Sequence, residues 1–313
     1  MSSSLIPHTP QNRNGNHGQG RVLTFDDILQ SSGYVLLDTG VTRSKKGNWL
    51  TKNFSDLKQR TDISLSGVEE ETRSVEYFIQ LLGNSNVFVT PRVSQEIFGF
   101  VDILKNLIVV LSRFKKIRPK NWIKEADFDR LKEFYDLYET CYYKSRNSEF
   151  SPHQLQRHGF LERIVLSVSE ETNAKIEYGE ERRSKRREDL HTDEQLVASA
   201  LYLSFVEGKS GAIITIDSDI KRILFNTLSY LTYPYISVYR DVVNSATTSG
   251  IRICYSTPDS EFQQRYNSSE FTSNSRLVIP REKLAAIRLK INSKLPEYPT
   301  DPIKPTHTQQ PQQ

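Results

Sequence analysis

Short apolar runs and longer stretches of helical spacing alternate along the chain. "YVLL" (34–37) stops at Asp38, "NVFVT" spans 86–90, "AIITI" (212–216) follows Gly211 and stops at Asp217, and "GIRICYS" spans 250–256. Each has strand length and is bounded by turn-forming residues. Between them, 66–83 sets Val75, Phe78, Ile79 and Leu82 at helical spacing, with Ser66 as cap and Gly83 as stop. Thr90 and Pro91 open another helix over 91–100, since Pro at the first helical position sacrifices no hydrogen bond. Thr192 and Gln195 have capping-box spacing ahead of Leu196, Val197, Ala200, Leu203 and Phe205, and a further helix starts at Ser218.

Strand–helix alternation predicts an α/β fold with a parallel sheet covered by helices on both faces. Right-handed crossovers would bring the carboxyl ends of the strands to one edge. Residues 101–190 read differently: mostly helical and much more charged, with Phe128, Leu131, Tyr135, Tyr138 and Tyr142 on roughly one face and a second apolar segment at 159–171. The expected organisation is a disordered polar tail over 1–30, a domain over 31–292 with a helical insertion at 101–190, and a disordered Pro-, Thr- and Gln-rich tail over 293–313.

Composition narrows the function classes only modestly. Forty-two Lys and Arg against 38 Asp and Glu give a net charge of +4, compatible with nucleic acid without implying it. The two cysteines, Cys141 and Cys254, lie far apart, against a zinc or disulfide framework and for a reducing, cytoplasmic setting. The most apolar segment, 103–114, carries Lys105, Asn106 and Arg113 and suits a buried helix rather than a membrane span.

Acidic residues change the picture. Asp38 and Asp217 follow the last apolar residue of two strands, Glu96 lies near the start of the helix after "NVFVT", and Asp193 opens a helix. Taken singly, Asp217, Asp219 and Asp193 read as helix caps or first-turn acids, each worth about 0.3–1 kcal/mol against the helix dipole. Taken together, they place four carboxylates on one rim, where a pair about 5 Å apart repels by roughly 3 kcal/mol at an effective dielectric near 20. Hard oxygen donors without neighbouring His or Cys select Mg²⁺ or Mn²⁺, whose use at such a site is phosphodiester hydrolysis.

"LLDTG", "VFVTPRVSQEI", "HTDEQLVASAL" and "IITIDSDI", in that order, resemble the acidic motifs of PIN-domain ribonucleases, and "GIRICYSTPDSEF" resembles the strand that closes that fold. The resemblance covers 34–100 and 191–256 and implies a PIN-like three-layer α/β/α architecture with a central parallel sheet. It implies metal-binding and catalytic roles for Asp38, Glu96, Asp193 and Asp217, an auxiliary acid at Asp219 and a supporting hydroxyl at Thr215. The implied activity is endonucleolytic cleavage of RNA, with single-stranded DNA as a related substrate. Arg43, Lys45 and Lys46, and the run Arg182, Arg183, Lys185, Arg186 and Arg187, are candidates for contacting the nucleic-acid backbone. The alternative is a catalytically inactive PIN-fold module that binds RNA or a protein, with the insertion as the surface for a partner or a second copy. "IDSDI" also resembles the D-x-D of haloacid-dehalogenase-type phosphatases, but the further motifs of that family are missing.

Overall fold

The structure, a computed structural model, describes residues 21–42, 67–117, 125–175, 191–233, 239–256 and 261–293. Six strands form one mixed sheet: β1 (Val22–Leu23), β2 (Tyr34–Leu37), β3 (Val87–Phe88), β4 (Gly211–Thr215), β5 (Ile251–Ser256) and β6 (Phe262–Asn267), in the order β1-β6-β5-β4-β2-β3. β3, β2, β4 and β5 pair in parallel, while β6 returns antiparallel to β5 and β1 antiparallel to β6. Nine α-helices occur among the described residues. The first five are α1 (Phe25–Gln30), α2 (Val68–Leu81), α3 (Pro91–Ile117), α4 (Glu125–Asn147) and α5 (Leu155–Glu171). The rest are α6 (Thr192–Val206), α7 (Asp219–Leu231), α8 (Arg240–Ser249) and α9 (Arg281–Asn292).

β2 is apolar throughout and β4 is apolar up to Thr215, and both are buried at every position, as suits strands covered on both faces. Their register sets Tyr34 against Gly211. The tyrosine ring lies across that glycine so closely that a Cβ there would come within 1.9 Å of Tyr34 Cζ. The ring thereby reaches α6, where its hydroxyl donates to the Ala200 carbonyl at 3.0 Å. α6 is apolar on all sides, with Leu196, Val197, Ala198, Ala200 and Leu201 fully buried, which makes it an internal helix rather than an amphipathic cover. It packs on β4 and β5 and on α5, α7 and α8. At about 1.5–3 kcal/mol for each large side chain removed from water, α6 is the axis of the core.

Three expectations are corrected. The tail drawn over 1–30 holds β1 and α1, and Thr24 caps α1 in a capping box with Asp27: the Asp27 amide donates to Thr24 Oγ1 at 3.2 Å and the Thr24 amide to Asp27 Oδ2 at 2.8 Å. The sheet is mixed, because "FQQRYN" (262–267), polar at its centre, still pairs through its backbone and buries Phe262 and Tyr266. No boundary falls at residue 101, since α3 runs unbroken from Pro91 to Ile117 with Val101, Leu104, Leu107 and Leu111 continuing its buried stripe. α4 packs on α2 and α3, and α5 on α6, α7 and α9, so the described part of 101–190 belongs to the one core.

α2 begins after Gly67 and ends at Leu81, short of Gly83, while Ser66 lies outside the described residues. No helix among the described residues is long and apolar enough to cross a membrane.

Candidate functional site

Parallel pairing brings the carboxyl ends of β2 and β4 side by side. The Asp38 amide donates to the Ile214 carbonyl at 3.0 Å, carrying the ladder one residue past β2. Thr215, fully buried, donates its hydroxyl to Asp38 Oδ2 at 2.8 Å, and Thr215 Oγ1 itself accepts from the Asp217 amide at 2.8 Å. One hydroxyl thus fixes both strand ends. Asp217 Oδ1 in turn accepts from the Asp219 amide at 2.9 Å, so Asp217 performs the capping of α7 while remaining at the strand end. Asp219, expected as an auxiliary acid, is buried and paired with Arg222. Gly40 lets the turn at 39–42 pass close over Asp38, where a Cβ would lie 2.8 Å from Asp38 Oδ2.

Glu96 sits in the second turn of α3 and is held by two threonines. Its Oε1 accepts the Thr192 hydroxyl at 2.5 Å and its Oε2 accepts that of Thr39. Thr39 Oγ1 also lies 3.3 Å from Asp38 Oδ1, but its single proton goes to the nearer glutamate. Thr192 is therefore not the helix cap that its spacing to Gln195 suggests. The cap position of α6 falls to His191, at a left-handed φ of 52° and without a side-chain cap bond.

Gln195 caps a different helix. Its Oε1 accepts from the Arg92 amide in the first turn of α3 at 3.0 Å, and its Nε2 faces Glu162 Oε1 at 3.4 Å. Arg92 Nη2 meets that same Glu162 oxygen at 2.8 Å. The N-termini of α3 and α6 abut, so α3 gains Gln195 as a partner besides its own cap, Thr90, whose Oγ1 accepts from the Val93 amide at 3.4 Å.

Asp193 is the electrostatic centre of the site. Burial first, and then the Asp38 carboxylate, push its carboxyl well above the ordinary range; Lys175 opposes this, and Asp217 and Glu194 add to it. Lys175 Nζ lies 3.8 Å from Asp193 Oδ2 and 2.9 Å from Glu194 Oε2, the closer contact being an ion pair off hydrogen-bond alignment. Glu194 is buried and its other oxygen accepts the Ser169 hydroxyl at 2.7 Å.

Asp38, Thr215 and Asp217 are thus joined directly, Glu96 approaches Asp38 through Thr39, and Asp193 feels both Asp38 and Asp217. Among the described residues, no group of three or more His, Cys, Asp or Glu side chains is arranged so as to hold a metal ion. The carboxylate oxygens instead face the protein's own hydroxyls, amides and Lys175. The donor chemistry nonetheless suits a hard divalent cation: all oxygen, with negative charge in excess around Asp193. Arg43, Lys45, Lys46, Arg182, Arg183, Lys185, Arg186 and Arg187 lie outside the described residues.

Sequence reasoning missed Thr39, Thr192, Glu194 and Lys175. The threonines adjoin acids in "LDTG" and "HTDE", which is a readable signal; Lys175 comes from beyond α5, and nothing local marks it. In comparisons with known proteins, no family model, no curated protein and no solved structure matches this chain.

Proposed function

We propose that the chain is a PIN-like, divalent-metal-dependent nuclease that hydrolyses RNA phosphodiester bonds. The observation that supports this reading is the joining of acids from separate elements at one sheet edge: the Thr215 hydroxyl ties Asp38 to the Asp217 amide at 2.8 Å each, and Thr39 reaches from Asp38 to Glu96. Asp38, Asp193 and Asp217 would hold Mg²⁺ or Mn²⁺ through carboxylate oxygens, with Glu96 beside them. Bound there, the ion would supply an activated water and neutralise charge on the phosphodiester. Thr215 orients Asp38 for this role, and Thr39 and Thr192 keep Glu96 between the β2 end and α6.

The test is cleavage of single-stranded RNA and DNA in Mn²⁺ by the wild type, Asp38→Asn and Asp217→Asn. Each variant should lose roughly 100-fold or more, since even partners outside the ligand shell are worth 10–100-fold at metal sites. Equal cleavage by all three sinks the reading. The second reading, a non-catalytic RNA- or protein-binding module, is favoured by the hydrogen bonds and the lysine that already engage the carboxylates. RNA binding without hydrolysis in Mn²⁺ would select it.

A further inference from the structure

We infer that Lys175 is a built-in counter-cation of the acidic edge, seated on its Asp193–Glu194 side, where it competes with a divalent ion and so sets how tightly the edge takes Mg²⁺ or Mn²⁺. This rests on the metal-dependent reading above.

The placement of Lys175 is structured. α5 ends at Glu171, and Asn173, at a left-handed φ of 49°, turns the chain back. Such a conformation after a helix suits Asn, and here it lets the Ala174 amide donate to the Ser169 carbonyl at 2.9 Å. Ala174 is buried beneath the turn, and Thr172 Oγ1 accepts from Asn226 Nδ2 of α7 at 2.9 Å. Lys175 therefore leaves a segment tied to two helices and reaches both acids of the first turn of α6.

The two contacts differ in kind. Glu194 is 2% exposed and Lys175 27% exposed, so the carboxylate is fixed while the ammonium keeps access to water. An ammonium shared between Asp193 and Glu194 neutralises one charge where Asp38 and Asp217 also bear on Asp193. An incoming cation must share Asp193 with it. Competition of this sort predicts opposite effects of removing the lysine and removing its second carboxylate.

Mn²⁺ binding to the metal-free full chain, measured by titration calorimetry, tests this. Lys175→Met should tighten Mn²⁺ about tenfold, the equivalent of one unit of pKa, and Lys175→Arg should match the wild type. Glu194→Gln should weaken it severalfold, because the ammonium then falls wholly to Asp193. If Lys175→Met leaves Glu194 too costly to bury, K175M/E194Q removes both charges and should bind more tightly than E194Q alone. Unchanged or weaker binding by K175M, or equality of the double variant with E194Q, overturns the role of Lys175; a simultaneous loss of binding in Asp217→Asn shows that the metal reading survives. Binding by K175M but not by the wild type upholds the inference and replaces the active nuclease with a silenced one. No Mn²⁺ binding by any variant overturns both.

Discussion

Replacing Thr215 by Val tests the strut between the two strand ends. Valine keeps the shape and removes the hydroxyl that donates to Asp38 and accepts from the Asp217 amide, both at 2.8 Å. A hydrogen bond to a buried carboxylate is worth roughly 1.5–3 kcal/mol, and a stranded amide costs about 1–3 kcal/mol if it stays dry. Asp217 is only partly buried, so its amide can turn to water and the lower end applies there. An added buried methyl returns about 0.8 kcal/mol. The net loss is about 2 kcal/mol, or roughly 4 °C in Tm for a chain of this size. Urea unfolding of the metal-free protein, followed by circular dichroism, reads the stability, and a Mn²⁺ titration reads the site. Thr215→Ser, which keeps the hydroxyl, should lose about 1 kcal/mol through its missing methyl yet retain the Mn²⁺ affinity that Thr215→Val weakens. A valine variant within 0.5 kcal/mol of wild type (roughly the error of such differences), with unchanged Mn²⁺ binding, would refute the strut.

Two further outcomes follow from buried groups away from the edge. Gly211→Ala places a methyl 1.9 Å from Tyr34 Cζ, a ring anchored by its hydroxyl on α6, and should cost about 3 kcal/mol or more. Combining it with Tyr34→Ala should be milder than the sum of the two, and simple additivity in urea melts would contradict the clash. His158, whose Nε2 lies 3.0 Å from Ser199 Oγ, has its pKa lowered from 6.5 by burial, against the charge of Glu162. Its neutral form is favoured in the fold, so its contribution is complete above pH 6.5 and is lost as the pH falls below that value. His158→Gln should flatten the pH dependence of stability just below 6.5, whereas parallel wild-type and variant profiles would exclude this source.

Much of the sheet is readable from local pattern. β2 and most of β4 are apolar runs, β5 alternates apolar residues with Arg252, and the aspartates after β2 and β4 fall where parallel pairing brings strand ends together. β6 escapes because Gln263, Gln264 and Arg265 interrupt its alternation, and its place depends on β5 rather than on its own side chains. The stripe Val101, Leu104, Leu107 and Leu111 is visible in the sequence, but the rise in charge over the same residues suggests an insertion that the buried face of α3 contradicts. Thr192 and Gln195 show the limit of local motifs: their spacing is that of a cap, yet both side chains engage α3. Lys175 is 18 residues from Asp193 in a charged stretch, and only the fold of α5 against α6 brings the two together. Asp217 and Asp219 divide their roles through backbone geometry that composition does not encode.

The stitching of α3 to α6 through Gln195, Arg92 and Glu162 governs how the edge can open. Glu96 and Asp193 ride on helices clamped at adjacent ends, so they form one jaw that shifts as a unit. Asp38 and Asp217, locked through Thr215 to the sheet, form the other. Neither jaw can yield acid by acid. Room for a substrate must therefore come from the joint between them, where the Thr39 hydroxyl reaches across to Glu96.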